Sequence, residues 1–171
     1  MQLITRKNFI LTTLTGAAGT LVLPGILNGQ AQPRPAQPPK GDPLDKALVK
    51  EFVGAAHKDF EKVKVLLKET PDLLNAVNNL GGWDWEDAIG ASGHVGDREM
   101  TLFLLEKGAR PTICTAAMLG ELKLVKGFIK AFPHMKDAVG PHNISLVRHA
   151  KAGGEPAEKV LKYLVSIGAK E

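Results

Sequence analysis

The sequence predicts an all-α fold, a short α-solenoid built from about four helix pairs. The first observation is a helical stripe of apolar residues that recurs four times after residue 44. The second is spacing, because the stripes end at Leu67, Leu105, Ile129 and Val165, which are 38, 24 and 36 residues apart. The third is composition: only 5% of residues are aromatic, and the apolar residues are mainly Ala, Leu and Val, which favours closely packed helices.

Residues 1–31 are typical of an export signal. A basic start is followed by a weakly apolar stretch to Leu23. The small residues Gly29 and Ala31 occupy the positions that a signal peptidase requires, which predicts cleavage before Gln32. The apolar stretch is too short, and too rich in Thr and Gly, for a comfortable membrane span. We therefore expect a periplasmic or extracellular mature protein that is not held in a membrane. An uncleaved anchor and a buried amphipathic helix are the alternatives.

The start of this segment resembles a twin-arginine signal, whose pattern is Ser/Thr-Arg-Arg-x-Phe-Leu-Lys. Thr5, Arg6 and Phe9 match this pattern, whereas Lys7 replaces the second arginine and Leu11 replaces the lysine. The resemblance implies twin-arginine translocation, with the general secretory pathway as the alternative route.

Residues 32–43 form a spacer with five prolines and almost no apolar side chains. Such a segment is expected to be extended and solvated. The folded domain is therefore expected to span residues 44–171.

Charge and cysteine content exclude some classes of function. Loss of Arg6 and Lys7 leaves 20 basic and 18 acidic residues, a balance that does not predict binding to nucleic acid. Cys114 is the only cysteine, so it forms no internal disulfide bond. Its apolar neighbours indicate a small core residue.

The apolar stripes lie on the second helix of each predicted pair. Their members are Phe60, Val63, Leu66 and Leu67; Met100, Phe103, Leu104 and Leu105; Leu124, Val125, Phe128 and Ile129; and Val160, Leu161, Leu164 and Val165. Proline follows the first and third stripes within four residues, whereas Gly-Ala follows the second and fourth. This alternation indicates a unit of two helix pairs that is present twice, which buries a stacked core.

Three segments resemble ankyrin repeats, whose pattern is roughly Thr-Pro-Leu-His-x-Ala-Ala-x-x-Gly-His-x-Glu-Ile-Val-x-Leu-Leu-Leu-x-x-Gly-Ala. Residues 116–125 match its middle, residues 104–109 its end, and residues 145–150 its start. The resemblance implies degenerate ankyrin-like helix pairs over residues 46–170. The Thr-Pro-Leu-His tetrad is not intact, and a solenoid of another α-hairpin type is the alternative.

No pattern in the sequence predicts catalysis. The five histidines include no pair at i, i+4 with a carboxylate between them, as zinc proteases have. Positions of His57 and His94 near the ends of first helices indicate a structural role. We therefore expect no enzyme, no cofactor and no metal site. A metal- or ligand-binding enzyme accessory that uses His94, His142 and His149 is one alternative.

The connection between the first two pairs carries the candidate binding residues Trp83, Asp84, Trp85 and Glu86. Tryptophan is enriched in binding hot spots, and the neighbouring acids suit a basic or sugar-like partner. One tryptophan filling the core is the structural alternative, and Asp87 is the predicted cap of the next helix. The resemblance implies protein–protein interaction or scaffolding with an unidentified protein partner. An envelope immunity or chaperone-like module for a secreted client is a further alternative.

Overall fold

The computed structural model of the chain describes residues 41–171, and this part of the protein is mostly helical, as the sequence predicts. Two short strands, β1 (Val77–Gly81) and β2 (Asp84–Asp87), form an antiparallel hairpin that the sequence analysis did not predict. The described helices are α1 (Lys46–Ala55), α2 (Phe60–Glu69), α3 (Ala88–Val95), α4 (Arg98–Glu106), α5 (Ile113–Met118), α6 (Leu122–Ala131), α7 (Leu146–Ala152) and α8 (Glu158–Ser166).

The export signal, including Thr5, Arg6, Lys7 and Phe9, lies outside the described residues. Of the spacer, only residues 41–43 are described, and they are exposed and outside any helix or strand. Within residues 41–171, none of the helices combines the length and the apolar character that crossing a membrane requires.

Side-chain caps explain where most helices begin. Six of the eight described helices follow an Asp, Thr or Ser whose side chain accepts a hydrogen bond from the backbone N–H three residues later. Such a cap stabilises a helix by about 1 kcal/mol. The predicted cap Asp87 is confirmed, because the Gly90 N–H donates to its Oδ1 over 2.8 Å. The other caps are Asp45, Asp59, Asp97, Thr112 and Ser145.

Each second helix buries a pair of apolar residues one turn apart. The pairs are Val63 and Leu67, Met100 and Leu104, Val125 and Ile129, and Val160 and Leu164. Other members of the predicted stripes are exposed, among them Leu124, Phe128 and Val165. Because each second helix packs mainly on the first helix of its own pair, only a narrow strip of its surface is covered.

The first helices pack on one another in chain order, α1 on α3, α3 on α5 and α5 on α7. In a linear stack each repeat contacts only its neighbours. Here α3 also contacts α7. The last three first helices therefore form a cluster instead of a row.

The buried apolar side chains form two clusters, one in each half of the domain. Side chains from α1 to α4, with Ala56, Leu73 and Ala109, build the first cluster, and side chains from α5 to α8 build the second. The division falls between the two halves that the alternating sequence pattern delimits.

Candidate functional site

The hairpin between α2 and α3 positions the four candidate binding residues. Gly81 and Gly82 have φ angles of 109° and 57°, a region that glycine adopts without steric cost. Because Asp87 both ends β2 and caps α3, the second strand is joined rigidly to that helix. The two consecutive glycines were the sequence signal for this hairpin.

Both tryptophans lie on the solvent side of the hairpin. Trp83, at the tip, is 100% exposed, and Trp85 is 60% exposed. Neither side chain fills the core. A cleft of about 560 Å³ separates this surface from the segment Val139–Asn143, and both tryptophans line it.

Of the two acidic residues, Asp84 lines the cleft beside both tryptophans, whereas Glu86 is buried away from them. Side chains alternate between the two faces of a strand, so Asp84 and Glu86 share one face of β2 and Trp85 lies on the other. Glu86 is only 3% exposed and is therefore not available to a partner. Asp84 is 33% exposed, but its carboxylate is engaged by His142, so the inference of a basic or sugar-like partner is weakened.

Three histidine nitrogens converge on the buried Glu86 carboxylate. Distances to Glu86 Oε1 are 3.4 Å from His57 Nε2, 3.5 Å from His94 Nδ1 and 3.2 Å from His142 Nε2. One potential ligand atom from each of the four residues lies within 4.8 Å of all the others. We call His57, Glu86, His94 and His142 the histidine–glutamate cluster.

Two members of the cluster come from the ends of first helices, as the sequence predicts. His57 follows α1, and its Nδ1–H donates to the Val53 carbonyl over 3.1 Å, which turns Nε2 towards Glu86. His94 lies in the last turn of α3, and its side chain is 8% exposed. The Nδ1 atom of His94 is buried and has no hydrogen-bond partner among the described residues.

The third histidine comes from the short 3-10 turn Pro141–Asn143. Its φ of 57° is unusual for a residue with a side chain, and Asp84 holds it in place. The His142 backbone N–H donates to Asp84 Oδ1 over 2.9 Å, and His142 Nδ1 lies 3.3 Å from Asp84 Oδ2. Asp84 therefore orients His142 so that Nε2 meets Glu86.

Burial shapes the electrostatics of the cluster. It raises the pKa of Glu86, whereas the nearby His57 and His142 lower that pKa. Burial, reinforced by the neighbouring histidines, lowers the pKa of His94 to about 4. The His94 imidazole is therefore neutral near pH 7, which is the form that binds metal ions.

The histidine set considered from the sequence needs one correction. His149 is buried, and its Nδ1–H donates to the Ser145 carbonyl over 2.9 Å. It lies against Gly140, outside the cluster, whereas His57 and Glu86 are inside it. Sequence reasoning missed His57 and Glu86 as partners of His94. A signal existed for His57, because it precedes His94 by 37 residues, close to the 38 residues between the first two stripe ends.

The cluster unites three imidazoles and one carboxylate from four separate parts of the chain. Such a set either shares protons or binds a cation through nitrogen and oxygen. No protein-family model matches the chain, and no curated protein sequence matches it significantly.

Proposed function

We propose that the chain is an exported, non-catalytic protein-binding module, and that the hairpin β1–β2 contacts its partner. The observation that carries this proposal is the exposure of both tryptophans on one hairpin, 100% for Trp83 and 60% for Trp85. Placing these side chains in water contributes nothing to the apolar core. A partner that covers them would bury on the order of 150–250 Å² for each ring.

The surroundings of the tryptophans support the same surface. Val77, which lines a second cavity together with Trp85, is 45% exposed, and Val139 across the cleft is 54% exposed. Buried aromatic anchors with apolar neighbours are typical of binding hot spots. An apolar segment of a protein that inserts between the hairpin and Val139–Asn143 fits this surface better than a basic or sugar-like ligand.

Assignment of the domain to ankyrin-like repeats belongs to the same proposal. It is supported by four helix pairs, by first helices that contact each other in chain order, and by glycine with positive φ after α3, α4, α5 and α8. The contact between α3 and α7 departs from a linear repeat array. Binding through the loops between repeats and the faces of the first helices is what the resemblance implies.

Site-specific photo-crosslinking in the native cell tests the proposal. A photoreactive phenylalanine analogue replaces Trp83 in one variant and Phe132 in the matched control, since Phe132 is also exposed, at 55%, but follows α6. We expect one specific protein crosslinked from position 83, recovered with the processed chain from the cell envelope or medium, and none from position 132.

Three outcomes would contradict the proposal. These are equal crosslinking from both positions, no protein adduct from position 83, or a chain that stays in the cytoplasm. Identification of the partner as a secreted toxin or enzyme would specify the immunity or chaperone-like form of the module.

A further inference from the structure

We propose that His57, Glu86, His94 and His142 form a binding site for one divalent transition-metal ion, with Zn²⁺ as the best fit. This inference does not rest on the protein-binding role of the tryptophans, since Trp85 lies on the other face of β2 and Trp83 lies at the tip of the hairpin. The proposed site is the histidine–glutamate cluster itself.

The distances from Glu86 to the three histidine nitrogens match those between ligands of a tetrahedral ion. Zn²⁺ binds nitrogen and oxygen at about 2.0–2.2 Å, which places any two ligands of a tetrahedral ion about 3.3–3.6 Å apart. The three nitrogens lie 3.2, 3.4 and 3.5 Å from Glu86 Oε1. Since all four ligand atoms lie within 4.8 Å of one another, small side-chain rotations bring the histidine nitrogens together.

Hydrogen bonds on the far side of two rings point their free nitrogens inward. A carbonyl oxygen only accepts, so the Val53 carbonyl fixes the proton of His57 on Nδ1 and leaves Nε2 facing the cluster. Asp84 stands at the Nδ1 side of His142 in the same way. Metal-binding histidines in proteins are commonly oriented by such carbonyl or carboxylate partners.

His94 supplies the observation that a proton-sharing network does not explain. Its Nδ1 is buried and unpaired within residues 41–171, and it is directed at the cluster from 3.5 Å. Buried polar atoms are nearly always satisfied by a partner. A bound ion satisfies this nitrogen, whereas protons shared between Glu86 and the other two histidines leave it unpaired.

The chemistry of the ligands selects the ion. Three imidazoles favour zinc and its neighbours copper and nickel, whereas Ca²⁺ and Mg²⁺ prefer sites made of oxygen. The Glu86 carboxylate supplies one negative charge opposite the positive charge of a divalent cation. Because the four ligands come from the turn after α1, from β2, from α3 and from the turn Pro141–Asn143, an ion also joins the hairpin to both halves of the domain.

The test is a Zn²⁺ titration by calorimetry of the full chain, purified without a polyhistidine tag and stripped with a chelator. We expect one Zn²⁺ per chain and no comparable binding of Mg²⁺. Co²⁺ serves as a second probe, because a tetrahedral site gives it strong visible absorption that an octahedral, hydrated ion lacks.

Two variants and a matched control assign the ligands. Glu86→Gln keeps the size of the buried side chain, and His142→Ala removes a ring that is 41% exposed. We expect each to weaken Zn²⁺ binding at least about tenfold, since loss of an outer partner alone costs tenfold to a hundredfold. His134→Ala removes an exposed histidine outside the cluster and should leave affinity unchanged.

Circular dichroism of the metal-free proteins separates ligand loss from unfolding. If one variant does not fold, the stoichiometry and the Co²⁺ spectrum of the unsubstituted chain decide the question. Absence of saturable Zn²⁺ binding by the folded, unsubstituted chain would overturn the proposal. Equal affinity in this chain and in both folded variants would overturn it as well.

Discussion

Cys114 illustrates how burial determines the chemistry of a single residue. It lies on α5 with 6% of its surface exposed, and burial raises the pKa of its thiol to about 11. The thiolate is the reactive form of cysteine, and at pH 8 about one thiol in a thousand is ionised at that pKa. The side chain therefore behaves as a small core residue, as its apolar neighbours in the sequence indicate.

The folded protein is expected to resist thiol reagents at pH 8. In guanidinium chloride, where the thiol regains its ordinary pKa, one equivalent should react with Ellman's reagent within minutes. The measurement compares reaction rates of the folded and unfolded chain. Equally fast reaction in the absence of denaturant would show that Cys114 is accessible and would contradict its position in the core.

At the scale of elements, a hydrogen bond that recurs in both halves holds the end of each unit. The Arg110 N–H donates to Asn75 Oδ1 over 3.0 Å, and the Lys170 N–H donates to Asp137 Oδ1 over 2.9 Å. Asn75 and Asp137 each end a 3-10 turn that begins with proline. In each half, the hydrogen bond therefore connects the 3-10 turn that follows the first of two second helices with the segment that follows the other. This recurrence supports the interpretation of a repeated unit of two helix pairs.

Asn75→Ala is expected to lower the free energy of unfolding by about 1 kcal/mol, the net contribution of a typical hydrogen bond. Asn75→Asp should cost much less, because the second half uses an aspartate at this place. Urea unfolding followed by circular dichroism measures both. Equal losses from the two substitutions would mean that the hydrogen bond does not hold the turn.

At the scale of the whole molecule, the close approach of helix pairs depends on glycine. Gly120, which follows α5, has a φ of 79°, and a Cβ atom there would lie 2.1 Å from the Pro156 carbonyl oxygen. Gly168, which follows α8, has a similar φ of 66° but no neighbouring atom within 4 Å of such a Cβ. Gly120 is therefore required both for its positive φ and for the close contact with Pro156, whereas Gly168 is required only for its positive φ.

Gly168→Ala should destabilise the protein by about 1–2 kcal/mol, the cost of a left-handed conformation for a residue with a side chain. Gly120→Ala should lose about 1–3 kcal/mol more, because overpacking is added to the same strain. Denaturant unfolding of both variants gives the difference directly. Similar losses would show that the pairs separate easily and that their contact contributes little.

Two things limited the prediction of the candidate site from the sequence: the directions in which side chains point, and the contacts between residues that are far apart in the chain. The tryptophans and the acids were recognised as one group, but the faces they occupy depend on the strand β2, and that strand was not predicted. His94 and His142 were considered together with His149 because only their residue type was visible. His149 proved to bond within its own helix turn, to the Ser145 carbonyl.

By itself, the sequence determined the helix pairs of the described domain and much of their extent. The signals for a helix are periodic apolar residues, Asp, Ser or Thr caps, and glycines at its end. These signals act within a few residues of each other, so they can be recognised in the sequence. Only the tertiary structure decided that α3 reaches α7 and that Glu86 meets a histidine 56 residues away. The physical reason is that such meetings depend on how helices and the hairpin pack, and packing is set by the whole core at once.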